Sequence, residues 1–343
     1  MAAATGLPPA PAPRTRPAGL HAGAPLSRID GPAGALGLVA EELQACEGEL
    51  RRLVHSDVAE VPAIAGYLLD AGGKRLRPAL TALGARAVGH TGPVSRLMCV
   101  GELLHLGSLL HDDVVDEGEM RRGRPAAYRR FGAPSAVLTG DFCLARAVLL
   151  AAEEGGFDAV KALGHTVTEM AEGEVLQLKR AGDLSTRLVD YLDVIDRKSA
   201  ALIAWCCAAG AWAVGDEVAA EALQRFGRGV GAAFQITDDV LDYQEGTGKR
   251  PGADLRERKV TLPLVLAMRE LPELRVRLEQ GPLEDEELSV WMSRVRASGA
   301  LRRSLELAHE RAADAVAALE VLPPSPHREG LRVLARYLVD RTL

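Results

Sequence analysis

Four aspartates stand in two segments of the same design. Asp112 and Asp116 lie in LLHDDVVDEGEMRRGRP, and Asp238 and Asp242 lie in FQITDDVLDYQEGTGK. On a helix, residues four apart share a face, one turn above the other. Two carboxylates so close repel unless a cation lies between them, and carboxylate oxygens are ligands that Mg²⁺ prefers. The first segment then turns at Gly118 and Gly123 and presents Arg121 and Arg122, whose planar forks match phosphate oxygens. The residue types therefore allow carboxylates to hold a metal, and metal and arginine to hold a phosphate. One such acid pair alone reads as a solvated helix face. Two copies in otherwise apolar helices, the second with Asp239 between its outer acids, weigh against that and predict two helices facing each other across a cavity.

The lysines point the same way. The chain is rich in arginine but has six lysines, and four fall in or beside marked segments: Lys74 in GGKRLRP, Lys198 in RKSA, Lys249 in GTGKRPGAD and Lys259 in RKVTLP. An ammonium is a compact point charge suited to phosphate oxygens. Lys74 and Arg77 follow a Gly-Gly turn that would aim them in a fixed direction; the alternative is a solvated basic loop. His105 lies two turns below Asp112 on the same stripe, as a ligand contact or as a satisfied core histidine. Gly227, Gly231, Phe234 and Gln235 lie on or beside the stripe of Asp238. An interior helical glycine costs about 1 kcal/mol against alanine, so either another helix or the wall of a long cavity approaches there. Gly227, Gly229 and Gly231 do not make a nucleotide fingerprint, because no strand precedes them.

The elements that must position these residues read as helices almost without a break from Leu36 onward. Apolar residues recur at helical spacing, sustained alternation is absent, and Gly/Pro punctuation leaves long intervals. The expectation is an all-α, large single-domain bundle of ten or more helices spanning residues 35–343, after a disordered Ala/Pro-rich tail at 1–34. A targeting peptide is the alternative for that tail, against which its prolines argue. The helix leading to Asp116 begins after Pro93 and is apolar on most sides, so it belongs in the interior, where acids are costly without cations. A net charge of −6 argues against nucleic-acid binding. The five cysteines lack metal spacing and read as buried thiols in a reducing compartment, and no secretory signal is visible, so the expected location is cytoplasmic. The uncharged run at 199–215 is short for a membrane span and fits a buried helix better.

Taken in order, GGKRLRP, LLHDDVVDEGEMRRGRP, Gly140-Asp141, GEVLQL at 173–178, RKSA, FQITDDVLDY and KVTLP resemble the trans-isoprenyl diphosphate synthases, or polyprenyl synthetases. The resemblance runs from about residue 40 to the C-terminus. It implies an isoprenoid-synthase-type helical fold around a deep central cavity, usually as a homodimer. It implies Mg²⁺-dependent head-to-tail joining of isopentenyl diphosphate to an allylic diphosphate, with about three ions per site. By motif position, Asp112 and Asp116 would hold two ions and Asp238 a third, with Asp239 and Asp242 supporting. Arg121, Lys198 and Lys259 would contact the allylic diphosphate, with Ser199 and Lys249 beside them. Lys74, Arg77, His105 and Arg122 would receive isopentenyl diphosphate, and Gln235 would line the reaction site. Two departures stand out: Ser199 where threonine is usual, and Arg258 where glycine commonly precedes the lysine, which leaves the loop shape around Lys259 open.

Product length is read from the residues beneath the first motif. Gly107 and Ser108 occupy the fifth and fourth positions before Asp112, and both are small. Gly101 lies about 16 Å below Asp112 at about 1.5 Å of rise per residue, and nothing bulky on that stripe stops a chain running down between the two acidic helices. The C-terminal segment also resembles the octaprenyl and nonaprenyl synthases. The expectation is a product of about forty to fifty carbons, such as a quinone side chain, released with transient membrane contact. A geranylgeranyl or farnesyl synthase, a terpene cyclase and a non-catalytic partner subunit are the alternatives.

Overall fold

A helix apolar on nearly every side has to lie in the interior, and Ser95–Val115 does: its residues from Leu97 to Leu104 are buried without interruption. In the computed structural model, which describes residues 29–244 and 251–340, it is the fifth of seventeen helices. Before it come α1 (Gly31–Gly37), α2 (Ala40–Leu53), α3 (Glu60–Leu69) and α4 (Leu76–Ala87), and it is α5. A small hairpin, β1 (Met120–Arg121) and β2 (Arg124–Pro125), leads to α6 (Ala127–Phe131), α7 (Ala133–Leu150) and α8 (Gly156–Lys179). Next are α9 (Leu188–Ile195), α10 (Ala201–Val214) and α11 (Glu217–Leu241). The chain closes with α12 (Ala253–Glu257), α13 (Leu262–Glu270), α14 (Pro272–Glu279), α15 (Asp285–Ala297), α16 (Ala300–Ala318) and α17 (Pro326–Asp340).

The uncharged run at 199–215 supplies α10, which serves as the axle. From Ala201 to Ala211 every residue is buried, and α4, α5, α8 and α11 all pack on it. Small residues allow the close approach. A Cβ on Gly84 would sit 2.2 Å from the Cys207 carbonyl oxygen, and one on Gly101 would sit 2.3 Å from Cys206 Sγ. On Gly227 and Gly231 it would meet the Cα atoms of Ala204 and Ala200 at 2.6 and 2.7 Å. Of the two readings of these helical glycines, helix packing is the one realised. Gly101, Gly227 and Gly231 abut α10 or the turn before it and do not wall a cavity.

Two further expectations need adjusting. Helix α1 starts at Gly31 and buries Ala35, so ordered helix begins inside the stretch read as tail; residues 1–28 lie outside the described residues. The hairpin is real although no Asn-Gly or Asp-Gly marks it. Arg122 and Gly123 both take positive φ (51° and 75°), the geometry a two-residue turn needs to match strand twist. The stretch Ala133–Lys179 is apolar and long enough to cross a membrane by composition, but Gly155-Gly156 breaks it in two. The inner faces of its halves, α7 and α8, pack on α5 and α10.

Candidate active site

Asp112 lies in the last turn of α5 and Asp116 ends that helix. Both carboxylates therefore sit at the negative end of the helix dipole, which disfavours anions. Burial pushes the Asp112 carboxyl up to about 6; Lys198 opposes the shift, while Glu174 and Asp116 add to it. The acids expected to be buried divide by task. Asp112 is half-buried and Asp116 is exposed, whereas Asp113 between them is 2% exposed. Asp113 Oδ1 accepts from both Nε (2.8 Å) and Nη2 of Arg121, which fixes that guanidinium beside the acid pair. Asp113 was visible only as the middle acid, and its part in holding Arg121 is a contact no local pattern announces.

On α11 the middle acid is again the structural one. Asp239 is buried, accepts from Tyr191 Oη at 2.6 Å and Gln235 Nε2 at 2.9 Å, and its carboxyl is raised to about 6 by burial. Ser199 Oγ donates to Gln235 Oε1 at 2.9 Å. Asp238 is exposed, and Asp242 accepts the backbone N–H of Asp254 at 3.0 Å, tying the acidic segment to α12. Arg258 adopts the left-handed conformation (φ 54°) that favours glycine. Burial lowers the Lys259 ammonium's pKa, but Asp254, Asp239 and Asp116 more than offset it and leave it raised. One cation thus lies within electrostatic reach of both acidic segments. Lys198 pairs with Glu174 on α8 and also acts on Asp112, while its neighbour Ser199 reaches α11. Lys249 lies outside the described residues.

A basic cluster forms beside the first acids. Arg75 takes a positive φ (48°) and is held by Glu47 and by Glu102 at 3.0 Å. His105 sits among arginines: burial, then Arg77, Arg122, Arg121 and Arg75, push its pKa well down. The arginines act on His105 from the cluster side. The Arg122 guanidinium lies 3.6 Å from where a Cβ on Gly73 would be, which brings the two arginine loops together; Lys74 is exposed at their rim. Arg77 keeps a buried Nε without a partner. Arg75, Glu47, Glu102, Glu174 and Tyr191 were not singled out from sequence, although Glu174 stands in the quoted GEVLQL.

Beneath Asp112, Glu174 and Lys198 lies a cavity of about 200 Å³. Its walls are Leu104, Gly107 and Ser108 of α5, Leu144 of α7, and Val167 and Met170 of α8. The expected path between the two acidic helices is thus corrected: α10 fills that side, and the space opens between α5, α7 and α8. Gly107 has a second use, since a Cβ there would meet the Gly140 carbonyl oxygen at 2.8 Å. A larger cleft of about 310 Å³ between α8, α10 and α11 is crossed by the Arg228–Glu169 ion pair (2.8 Å) and contains neither acid pair.

Among the described residues no three His, Cys, Asp or Glu side chains converge as a metal cage. Two pairs of aspartates, each pair one helical turn apart, are a donor set that suits Mg²⁺, which keeps waters and binds through one or two carboxylates plus substrate phosphates. The acid pairs fit the ion on that basis.

An all-helical fold with two aspartate segments, a basic cluster beside the first of them and an apolar cavity beneath Asp112 is that of the isoprenoid-synthase class. A sequence profile described as polyprenyl synthetase matches residues 58–290, and the chain belongs to that family; it is a prenyltransferase. It is 38% identical over 316 residues to the octaprenyl diphosphate synthase of Escherichia coli (strain K12), covering 89% of this chain and 97% of that one. It is 37% identical over 321 residues to an all-trans-nonaprenyl-diphosphate synthase (geranyl-diphosphate specific) of Rhodobacter capsulatus, covering 91% and 99%. Among solved structures, a polyprenyl synthase from Caulobacter crescentus CB15, complexed with calcium and isoprenyl diphosphate, superposes with a TM-score of 0.85. It is 37% identical, and the match covers 92% of this chain and 99% of that one.

Proposed function

We propose that the protein extends an allylic diphosphate with isopentenyl diphosphate, head to tail and with Mg²⁺, to a long all-trans product of about forty to fifty carbons for a quinone side chain. The observation that carries this reading is the vertical order of the site: Asp112, Lys198 and Glu174 directly above an apolar cavity in which Gly107 and Ser108 leave room. Asp112 with Asp116, and Asp238 supported by Asp242, would hold about three ions. When bound, these ions neutralise the charge that develops on the departing diphosphate.

Arg121, fixed by Asp113, holds the allylic diphosphate together with Lys198 and Lys259. Arg77, Arg122, Lys74 and neutral His105 hold the second diphosphate, so both reactants are oriented before the bond forms. The allylic C–O bond breaks, the isopentenyl double bond attacks that carbon, and the resulting cation loses a proton to the released diphosphate. Apolar walls keep water from the cation. Gln235, oriented by Ser199 and Asp239, lines the reaction site.

The working unit is a homodimer. Support comes from the outer face of α7, where Leu138 (65% exposed), Phe142 and Leu149 (48% exposed) recur at helical spacing, and from the exposed Val175 and Leu178 of α8. The five unpaired, buried cysteines suit the cytoplasm. One observation favours a shorter product, of the geranylgeranyl or farnesyl class: the cavity itself is small. Incubation with farnesyl diphosphate, isopentenyl diphosphate and Mg²⁺, followed by chromatography of the dephosphorylated products, tests the reading. Products of eight or more isoprene units are expected; a distribution ending at farnesyl or geranylgeranyl chains would overturn the long-chain reading.

A further inference from the structure

Among the basic residues beside the first acids, Arg75 turns every side-chain nitrogen onto the protein itself. Its Nε and Nη2 (3.1 Å) both donate to the carboxylate of Glu47 on α2, and its Nη1 donates to Glu102 Oε2 on α5 at 3.0 Å. The pairing with Glu47 is the two-pronged geometry that a planar guanidinium makes with a carboxylate. Lys74, Arg77 and Arg122 differ. Among the described residues, none of those three makes an ion pair.

Glu102 is 8% exposed, and a carboxylate so buried is costly unless cations answer it. Beyond Arg75 it acts on Arg122: burial lowers the pKa of that guanidinium and Glu102 opposes the shift, while Arg75, Arg121 and Arg77 add to it. Arg75 and Arg122 flank Gly73, where a Cβ would sit 3.4 Å from Arg75 Nη1 and 3.6 Å from Arg122 Nη1. Arg75 caps α4 with φ 48° and ψ 35°, a left-handed backbone that a residue with a side chain rarely takes. The chain turns there between Lys74 and Arg77. Whatever holds Arg75 in that conformation also sets where Lys74 and Arg77 stand relative to α5.

We propose that Glu47 and Glu102 are positioning residues for isopentenyl diphosphate: together they pin Arg75, which binds no diphosphate itself, and the pinned turn presents Lys74 and Arg77 beside Arg122. This rests on the reading above that Lys74, Arg77, His105 and Arg122 receive that substrate. Arg75 is answered by two carboxylates and Arg121 by Asp113. Lys74, Arg77 and Arg122 are the cations left for an incoming diphosphate. The pin joins α2 to α5 through the turn before α4, so two carboxylates outside the quoted motifs shape the site without touching its ligand.

Steady-state kinetics on the full chain test this, with isopentenyl diphosphate varied at saturating farnesyl diphosphate and Mg²⁺, and then the reverse. Glu47 is half-buried, so Glu47→Ala should fold; Glu102 is buried, so Glu102→Gln keeps its shape and removes its charge. Each should raise KM for isopentenyl diphosphate about tenfold, with kcat and KM for farnesyl diphosphate within about twofold of wild type. Arg75→Gln should do the same. Adding Glu47→Ala to Arg75→Gln should then change KM by no more than about twofold, because residues that act through one another are not additive. An unchanged KM in both carboxylate variants would overturn the pin. So would a lower one, which would mean that the carboxylates hold Arg75 back from the ligand. Effects that multiply in the double variant would also overturn it, since Glu47 would then act without Arg75. Arg77→Ala separates the pin from the site. A raised KM there with unchanged carboxylate variants overturns the pin alone, whereas an unchanged KM there overturns the assigned isopentenyl diphosphate site and the pin together.

Discussion

Asp112 carries a cost that the fold does not relieve by itself. Its folded pKa of about 6 lies above the ordinary carboxylate value of 3.8. Between those values the native state binds a proton that the unfolded chain does not, so this group's contribution to stability falls as pH rises through about 6. Above that, the ionised carboxylate is a burden unless a cation arrives. Asp112→Asn should therefore raise the melting temperature at pH 8 in metal-free buffer, by about 1–2 kcal/mol of stability. The gain should vanish toward pH 4. A lower melting temperature for the variant at pH 8 would show that the carboxylate is already well compensated. Arg258 carries its cost in the backbone, at a positive φ of 54°. A non-glycine residue in the left-handed region costs roughly 1–2 kcal/mol, so Arg258→Gly should gain up to about 1 kcal/mol in denaturant unfolding, glycine's own entropy taking the rest. Turnover should persist; its loss would mean that the Arg258 side chain touches substrate.

Helices decide where these residues can point, and here sequence and structure part company. The outer acids, Lys74, Lys198, Lys259 and the paired arginines could be picked out as candidates, because phosphate and Mg²⁺ chemistry favours those residue types at those spacings. Asp113 drew no role of its own and Asp239 only a supporting one beside Asp238, because both look like their neighbours until Arg121 and Tyr191 arrive from elsewhere in the chain. Tyr191 is 48 residues from Asp239 and carries no local signal. Gly101 and Gly231 show the other limit. Helical period tells which face they occupy, but not that α10 fills it, and that moved the cavity from between the acidic helices to between α5, α7 and α8. Ser108 remains in the wall directly below Asp112. Ser108→Phe should consequently shorten the product in a chromatographic assay while sparing the first condensation. An unchanged distribution would mean that the chain bypasses α5.

At the scale of the whole molecule, one buried helix organises the rest: α10 holds α4, α5, α8 and α11, and so sets the two acidic segments around a shared Lys259. An all-α bundle was legible because nearly every segment kept one period. The apolar face of α7 and α8 was not, because exposure is a property of the finished packing. Sedimentation equilibrium should give twice the mass of the 36.4 kDa chain, and Leu138→Glu with Leu149→Glu should shift it toward the monomer. A wild-type monomer at micromolar concentration would remove the dimer. The central claim is that both acidic segments bind Mg²⁺ jointly, and only around a diphosphate. Calorimetric titration of Mg²⁺ into the protein, with and without inorganic diphosphate, tests it most directly. The account predicts weak binding alone, strong binding with diphosphate, and loss of the strong phase in both Asp112→Ala and Asp238→Ala. Equally tight binding without diphosphate, or a strong phase surviving either substitution, would contradict it.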